Sequence, residues 1–279
     1  GVQTCALPIF DMPDKILTIA GSDSLSGGGI QADLATFSEY GYFGLAVTTA
    51  IVTVTTKDFQ VFPIAPHIIA EQLNSVLALD DIRAIKIGFL PTVASIEIVA
   101  EHLQHIKNIP IIVDPVMAFK ETQIVDTHFL AKVLTEKILP FATILTPNLK
   151  EAEILSGHDI SDVNDMRNAA KEIFQLGPTY VVIKGGSQIL GNQAVDVLYD
   201  GHQFSLFKQD KIVRSQPYHS GAGCSLSASL AANLSQNNVT VNLALSDAKD
   251  FVWQGIKHGV KLNDQFDFGN VWQGARRSM

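Results

Sequence analysis

The chain has 279 residues, 47% of them hydrophobic, and a formal net charge of −8. That composition supplies a full core and argues against a disordered chain, while the acidic balance, with no basic stripe, argues against a nucleic-acid binder. The longest apolar run, residues 42–54, is too short and too rich in Thr to span a bilayer, and two cysteines, Cys5 and Cys224, are too few for a disulfide framework; a reducing cytoplasm is the simplest setting.

Residues 1–11 carry neither the basic start nor the apolar run of a signal peptide. They read as a non-native or disordered segment ahead of a start at Met12, or as an ordinary frayed terminus. A single domain is expected over 12–279. Strands are predicted at 16–20, 46–54, 84–87, 111–113, 143–145 and 180–184, where short apolar runs rich in β-formers occur. Helices are predicted between them at 29–40, 66–79, 93–104, 126–138, 149–156 and 162–176. Strands that are apolar on both faces predict a mainly parallel sheet covered by helices on each side. After Gly191 the pattern changes. Residues 194–199 and 203–207 flank Asp200-Gly201, a hairpin signal, and helices follow at 224–235 and 241–257. In such sheets ligands bind beyond the carboxyl ends of the strands, so those loops are the candidates for chemistry.

The first of these loops reads Ala20-Gly21-Ser22-Asp23-Ser24, then Gly27-Gly28-Gly29 before a helix. Asp23 can hold a ligand donor there, and the glycines let backbone approach a ligand closely. The alternative is a plain Gly-rich turn with Asp as a helix-start residue. Gly27, Gly29 and Ala32 match a dinucleotide fingerprint, G-x-G-x-x-A. The first glycine does not directly follow the strand, however, and Val54-Thr55-Thr56 stands where an acidic residue should end the second strand. A nicotinamide-linked oxidoreductase is therefore disfavoured.

Asp114, after the run 111–113, is placed either to hold Mg²⁺ or to start an Asp-Pro turn. In Thr146-Pro147-Asn148-Leu149-Lys150-Glu151, Asn148 can cap a helix and Glu151 can close a capping box. The same helix start can also face a Mg²⁺–phosphate group. Lys184-Gly185-Gly186 suits phosphate binding without the spacing of a Walker A loop. Gly221-Ala222-Gly223-Cys224 opens an apolar helix, so its backbone N–H groups form a cradle suited to a phosphoryl group in transfer. A helix start lowers a thiol pKa, which fits Cys224 as a base towards a substrate hydroxyl. The alternative is a small buried cysteine beside a tight turn.

The segments AGSDSLSGGGIQADLATF, IKIGFLPT, VDPVM, TPNLKEAEILSG, VIKGG, AVDVLYDG and GAGCSLSASLAA occur in order from residue 20 to 232. Together they resemble the hydroxymethylpyrimidine kinase and pyridoxal kinase branch of the ribokinase-like superfamily. The resemblance implies an α/β fold, a three-layer αβα sandwich of eight or nine mostly parallel strands with no separate lid domain, and a homodimer. It implies ATP and Mg²⁺, with a monovalent cation as a further candidate, and a small-molecule vitamin substrate. Asp114 and Glu151 would organise Mg²⁺, and Asn148, Lys184 and Gly186 would lie near the nucleotide. Gly221, Ala222 and Gly223 would form the anion hole and Cys224 would be the base. Asp23, Val54, Gly88 and Val116 would line the substrate. The implied reaction is phosphorylation of the 5′-hydroxymethyl group of pyridoxal, pyridoxine or pyridoxamine. The alternative is a hydroxymethylpyrimidine or phosphomethylpyrimidine kinase, including a bifunctional one.

Three residues depart from the family pattern. Relatives in thiamin biosynthesis carry Glu or Gln where Val54 stands, and that side chain reads the pyrimidine amino group. Valine cannot, which favours a pyridine ring. Phe119 occupies the place of a lid cysteine that meets an aldehyde in some relatives. Ser220 precedes the Gly-rich turn where a His is usual, and His219 is one position off.

Overall fold

The structure, a computed structural model, describes residues 12–56, 58–117, 127–213, 218–266 and 268–278. The expectations for residues 1–11 and for Phe119 lie outside the described residues. The chain runs β1 (Lys15–Asp23), α1 (Gly29–Glu39), β2 (Phe43–Val54), β3 (Phe59–Pro63), α2 (Pro66–Leu77), β4 (Ile82–Ile87), α3 (Val93–Leu103) and β5 (Ile111–Val113). It continues with α4 (Thr127–Lys137), β6 (Ile144–Leu145), α5 (Leu149–Ser156), α6 (Val163–Phe174), β7 (Tyr180–Lys184), β8 (Gln193–Tyr199) and β9 (Phe204–Asp210). It ends with α7 (Ala222–Leu234), α8 (Val241–Lys257), β10 (Val260–Lys261), β11 (Gly269–Asn270) and a 3₁₀ segment, Gln273–Ser278.

Nine strands form one sheet in the order β3-β2-β1-β4-β5-β6-β7-β8-β9. The six from β2 to β7 in that order are parallel; β3 and β8 run against them, and β9 pairs antiparallel with β8 at the edge. One face carries α2 to α6 on a core that includes Leu17, Ile85, Val113 and Val181. The other carries α1, α7 and α8 on a core that includes Ile16, Ala84, Ile112 and Val182. Neighbouring strand residues thus face opposite cores, which is why these strands read as unbroken apolar runs. The fold is the expected three-layer sandwich, with no separate lid domain among the described residues.

Two features fix where a ligand can sit. After β1 the chain moves to one side to make β2 and β3, then returns to place β4 on the other side of β1. The loops leaving β1 and β4 therefore diverge, which opens a crevice at the switch point. The second feature is α7, whose residues from Ser225 to Asn233 are all buried. Its small side chains, Ser225, Ser227, Ala228, Ser229, Ala231 and Ala232, allow close approach to α1, α8 and the sheet. A helix held on all sides presents its first turn at a fixed place beside the strand ends.

Candidate active site

Two glycine turns interlock at the start of α7. Gly29 has φ +60° and a Cβ there would lie 2.1 Å from the Gly21 carbonyl oxygen. Gly221 has φ +86° and a Cβ there would lie 2.1 Å from the Gly27 carbonyl oxygen. Both positions exclude a side chain by conformation and by space. The contact brings Gly28 against Cys224, since a Cβ on Gly28 would stand 3.5 Å from Sγ. From the other side, Asn270 Nδ2 donates to the Leu25 carbonyl at 2.7 Å and holds the loop down. Asp23 is fixed within this loop: its Oδ1 accepts the Leu25 N–H at 2.9 Å, and its own N–H donates to Gln31 Oε1 at 3.0 Å.

The crevice and its solvent-open mouth together hold about 480 Å³ of free space. Val52, Phe59, Phe89 and Val116 make its apolar walls, and Asp23, Lys86 and Cys224 bring the polar groups. That balance of lining suits a small ring with a few polar substituents. Of the residues expected to line the substrate, Asp23 and Val116 line this cavity. Val54 and Gly88 do not line the cavity. Val54 lies two residues beyond Val52 on the same strand and pairs across to Phe59, so it flanks the wall rather than forming it. Gly88 acts behind the wall: a Cβ there would be 2.8 Å from Lys86 Nζ, so glycine makes room for the ammonium.

The other side of the α7 start faces charge. Lys184, at the end of β7, places Nζ 2.6 Å from Asp114 Oδ1 at the end of β5. A Cβ on Gly223 would lie 3.2 Å from that Nζ and 3.8 Å from Asp114 Oδ2. Burial disfavours charge on both partners, but the attraction wins: Lys184 is held above the ordinary lysine range, and Lys184 and Lys86 hold Asp114 below the usual carboxylate range. Asn148 caps α5 by accepting the Glu151 N–H at 2.9 Å, and Glu151 Oε2 accepts the Asn148 N–H at 2.8 Å. This capping box lies beside Lys184, whose strand bridges Asn148. Gly186, with φ +51°, turns the chain away after Lys184, and its N–H lies 3.5 Å from Asp196 Oδ1.

Two expectations need correction here. The Ala222 N–H donates to the His219 carbonyl at 3.0 Å. That bond closes the turn before α7, so the cradle narrows to its neighbours. Gly223 and Cys224, the next two residues of the helix, carry amides with no intrahelical acceptor. The second correction concerns the thiol. Cys224 opens partly onto the cavity, yet burial in its dense surroundings pushes the thiol up to about 11, against the lowering effects of Lys86 and the Gly29 N–H. A helix start alone does not offset that desolvation, so the resting side chain is a neutral thiol.

The carboxylates fit a hard divalent cation. Asp114 and Glu151 are both buried. Burial raises Glu151 to about 7, and the nearby negative charge of Asp114 adds to the rise. Two carboxyl groups that repel in a buried place are the donor set a cation relieves. No group of three or more His, Cys, Asp or Glu side chains that could hold a metal occurs among the described residues. Mg²⁺ is commonly held by one or two carboxylates together with substrate phosphates.

Sequence reasoning missed Lys86 and Asp33. Lys86 interrupts the apolar run of β4, and Asp33 lies on the buried face of α1. Both are fully buried and Nζ stands 2.9 Å from Asp33 Oδ2. A charge inside the run 84–87, apolar but for Lys86, was the available signal, since such a residue needs a buried partner.

No helix among the described residues is long and apolar enough to cross a membrane. Comparison with known proteins returns the same architecture with a named chemistry. The chain is 42% identical over 253 residues to a pyridoxine kinase of Bacillus subtilis, covering 89% of this chain and 92% of the relative. It is 37% identical over 252 residues to a hydroxymethylpyrimidine/phosphomethylpyrimidine kinase of Aquifex aeolicus, covering 90% and 97%. Among solved structures, Bacillus subtilis pyridoxal kinase in an ADP complex matches with a TM-score of 0.87 at 40% identity, covering 95% of this chain and 99% of that one. Staphylococcus aureus pyridoxal kinase in complex with AMP-PCP and pyridoxal matches with a TM-score of 0.87 at 36% identity, covering 96% of each. The family model described as phosphomethylpyrimidine kinase matches residues 23–270. That span takes in every loop of the site from Asp23 to Asn270, and this chain belongs to that family.

Proposed function

We propose that this protein is an ATP-dependent kinase that phosphorylates the 5′-hydroxymethyl group of pyridoxal, pyridoxine or pyridoxamine, as in vitamin B6 salvage. One observation carries the reading: the cavity and the buried Lys184–Asp114 ion pair meet at a single helix start. Cys224 faces the cavity, and Gly223, one residue before it, faces the Lys184–Asp114 pair. The acceptor hydroxyl lies on the cavity side and the γ-phosphate lies over the Gly223 and Cys224 amides. The acceptor oxygen bonds to the γ-phosphorus as the bond to the bridging oxygen breaks and ADP leaves. The hydroxyl proton passes to Cys224 Sγ in its thiolate form.

Lys184 meets charge on the phosphates, and the helix start offsets charge spread over the transferred group. Asn148 and Gly186 border the nucleotide. Asp114 and Glu151 would hold Mg²⁺, which would neutralise charge at the phosphates when bound. The family resemblance supports a homodimer, a cytoplasmic setting and a monovalent cation. The Aquifex aeolicus relative supports a second reading, transfer to hydroxymethylpyrimidine or its phosphate. Val54, which offers no partner to a pyrimidine amino group, favours the first. A side-by-side assay with Mg-ATP decides. Turnover of B6 vitamers above that of hydroxymethylpyrimidine is expected, and good pyrimidine turnover without pyridoxal phosphate would overturn the assignment.

A further inference from the structure

The Lys86–Asp33 pair is unusual in being wholly buried and yet set against the cavity. Lys86 and Asp33 side chains have 0% exposure. Asp33 Oδ2 accepts from Lys86 Nζ at 2.9 Å and from Thr18 Oγ1 at 2.6 Å, so both donors converge on one oxygen. Asp33 Oδ1 has no hydrogen-bond partner among the described residues. Burying two charges costs several kcal/mol of desolvation, and a packed apolar pair often holds a fold equally well. A stability role alone therefore gives little reason for charge at this spot.

Position supplies a better reason. Lys86 lines the same cavity as Cys224, with room made for its ammonium by Gly88. An ammonium carries three donors, and Asp33 takes one of them. The charged groups around the thiol come from four elements: Lys86 on β4, Asp33 on α1, Asp114 after β5 and Lys184 on β7. The Gly29 N–H also points at Sγ. Asp33 and Asp114 oppose negative charge on the sulfur, and Lys86 is the strongest charge in its favour. Despite burial, those carboxylates hold Lys86 above the ordinary lysine range, so it remains a cation throughout.

We propose that Lys86 is a positioning residue for phosphoryl transfer: held by Asp33, whose carboxylate Thr18 anchors, its ammonium is the fixed positive charge against which Cys224 takes the acceptor's proton. The inference rests on the reading of Cys224 as the base. As the acceptor oxygen bonds to phosphorus, its proton moves to sulfur and the thiolate becomes a thiol, and Lys86 changes neither bonds nor protonation.

The test compares Lys86→Met, Lys86→Arg and the double variant Lys86→Met with Asp33→Asn. Thermal midpoint, turnover and the rate of Cys224 alkylation by iodoacetamide are read on each. The alkylated Cys224 peptide is quantified by mass so that Cys5 is not counted. Lys86→Met alone leaves Asp33, whose carboxyl burial already raises, without its cation and lowers the midpoint. The double variant removes both charges, so the midpoint returns towards wild type. Its alkylation still falls about tenfold and its turnover about a hundredfold, with KM for ATP unchanged, because the thiolate has lost its cation. Lys86→Arg keeps most of the alkylation rate. Should the double variant regain turnover with its midpoint, or keep wild-type alkylation, the pair is structural and the proposal is overturned. Cys224→Ala, assayed alongside, separates the two readings. Near-normal turnover there sinks the base assignment, while the alkylation rates still judge Lys86.

Discussion

A thiol pushed up to about 11 makes an unusual base, and the consequence is measurable. The perturbation is Cys224→Asp, compared with wild type across pH. With its pKa near that value, the thiolate fraction of the free enzyme is on the order of 10⁻⁴ at neutral pH and grows tenfold per pH unit. The sign follows directly: a raised pKa leaves the proton-accepting form scarce at low pH and increasingly available as pH rises towards it. An aspartate at the same place starts near 3.9 and, even raised by a few units through burial, is largely ionised above pH 7. The ratio of wild-type to Cys224→Asp kcat/KM should therefore climb by close to tenfold per pH unit between about pH 7 and 9. Measuring kcat/KM for the vitamin with nucleotide below saturation keeps the free-enzyme ionisation in view. Taking a ratio cancels titrations of the vitamin and of ATP, which both enzymes share. Absolute rates matter less, because a carboxylate differs from a thiol in reach and hydration. A ratio that stays flat across that range would refute the assignment of Cys224 as the proton acceptor.

Gly221→Ala meets both a left-handed φ of +86° and the Gly27 carbonyl at 2.1 Å. It should cost about 2–3 kcal/mol, seen as a fall in thermal midpoint of roughly 5–10 °C, with turnover lost. Glu151→Gln keeps the size of the side chain but removes its charge. The Mg²⁺ concentration for half-maximal activity should rise about tenfold at fixed ATP, read by titration of the metal. Val54→Glu adds, beside the Val52 wall, a carboxylate able to accept from an aminopyrimidine. The ratio of kcat/KM for hydroxymethylpyrimidine over pyridoxal should rise about tenfold, measured with both substrates in parallel, and an unchanged ratio would remove Val54 from the specificity argument.

Much of the fold was legible because a strand buried on both faces leaves an unbroken apolar run. β5 and β7 begin and end where the sequence placed them. β3 was not predicted, since Phe59-Gln60-Val61-Phe62-Pro63 is short, half exposed and closed by proline. Such an edge strand is defined by its pairing with β2, which is tertiary information. β2 starts at Phe43 rather than 46, because Gly44 packs under Leu34 and pairs with Ile16. In the site, Asp23, Asp114, Asn148, Glu151, Lys184 and the 221–224 turn lie together at one end of the sheet, with the Ala222 amide spent on the His219 carbonyl. The thiol pKa was not legible. A helix start acts locally and modestly, while the desolvation that overrides it comes from β4, α1 and the first loop closing round the sulfur.

The charge pattern gives a physical reason for a thiol at this position. Two ammonium groups, Lys86 and Lys184, are each matched by one carboxylate, Asp33 and Asp114. Glu151, raised to about 7, is partly neutral at rest. A carboxylate at 224 would add another anion at the mouth of a cradle that must accept a triphosphate. A neutral thiol adds none. It leaves the free amides at the helix start and the Lys184 ammonium to meet the phosphates, and it acquires charge only when a proton leaves for solvent. The cost is a small reactive fraction at neutral pH, and a cation on the same cavity as the sulfur, held by Asp33 with Thr18 behind it and given space over Gly88, is the arrangement that limits that cost.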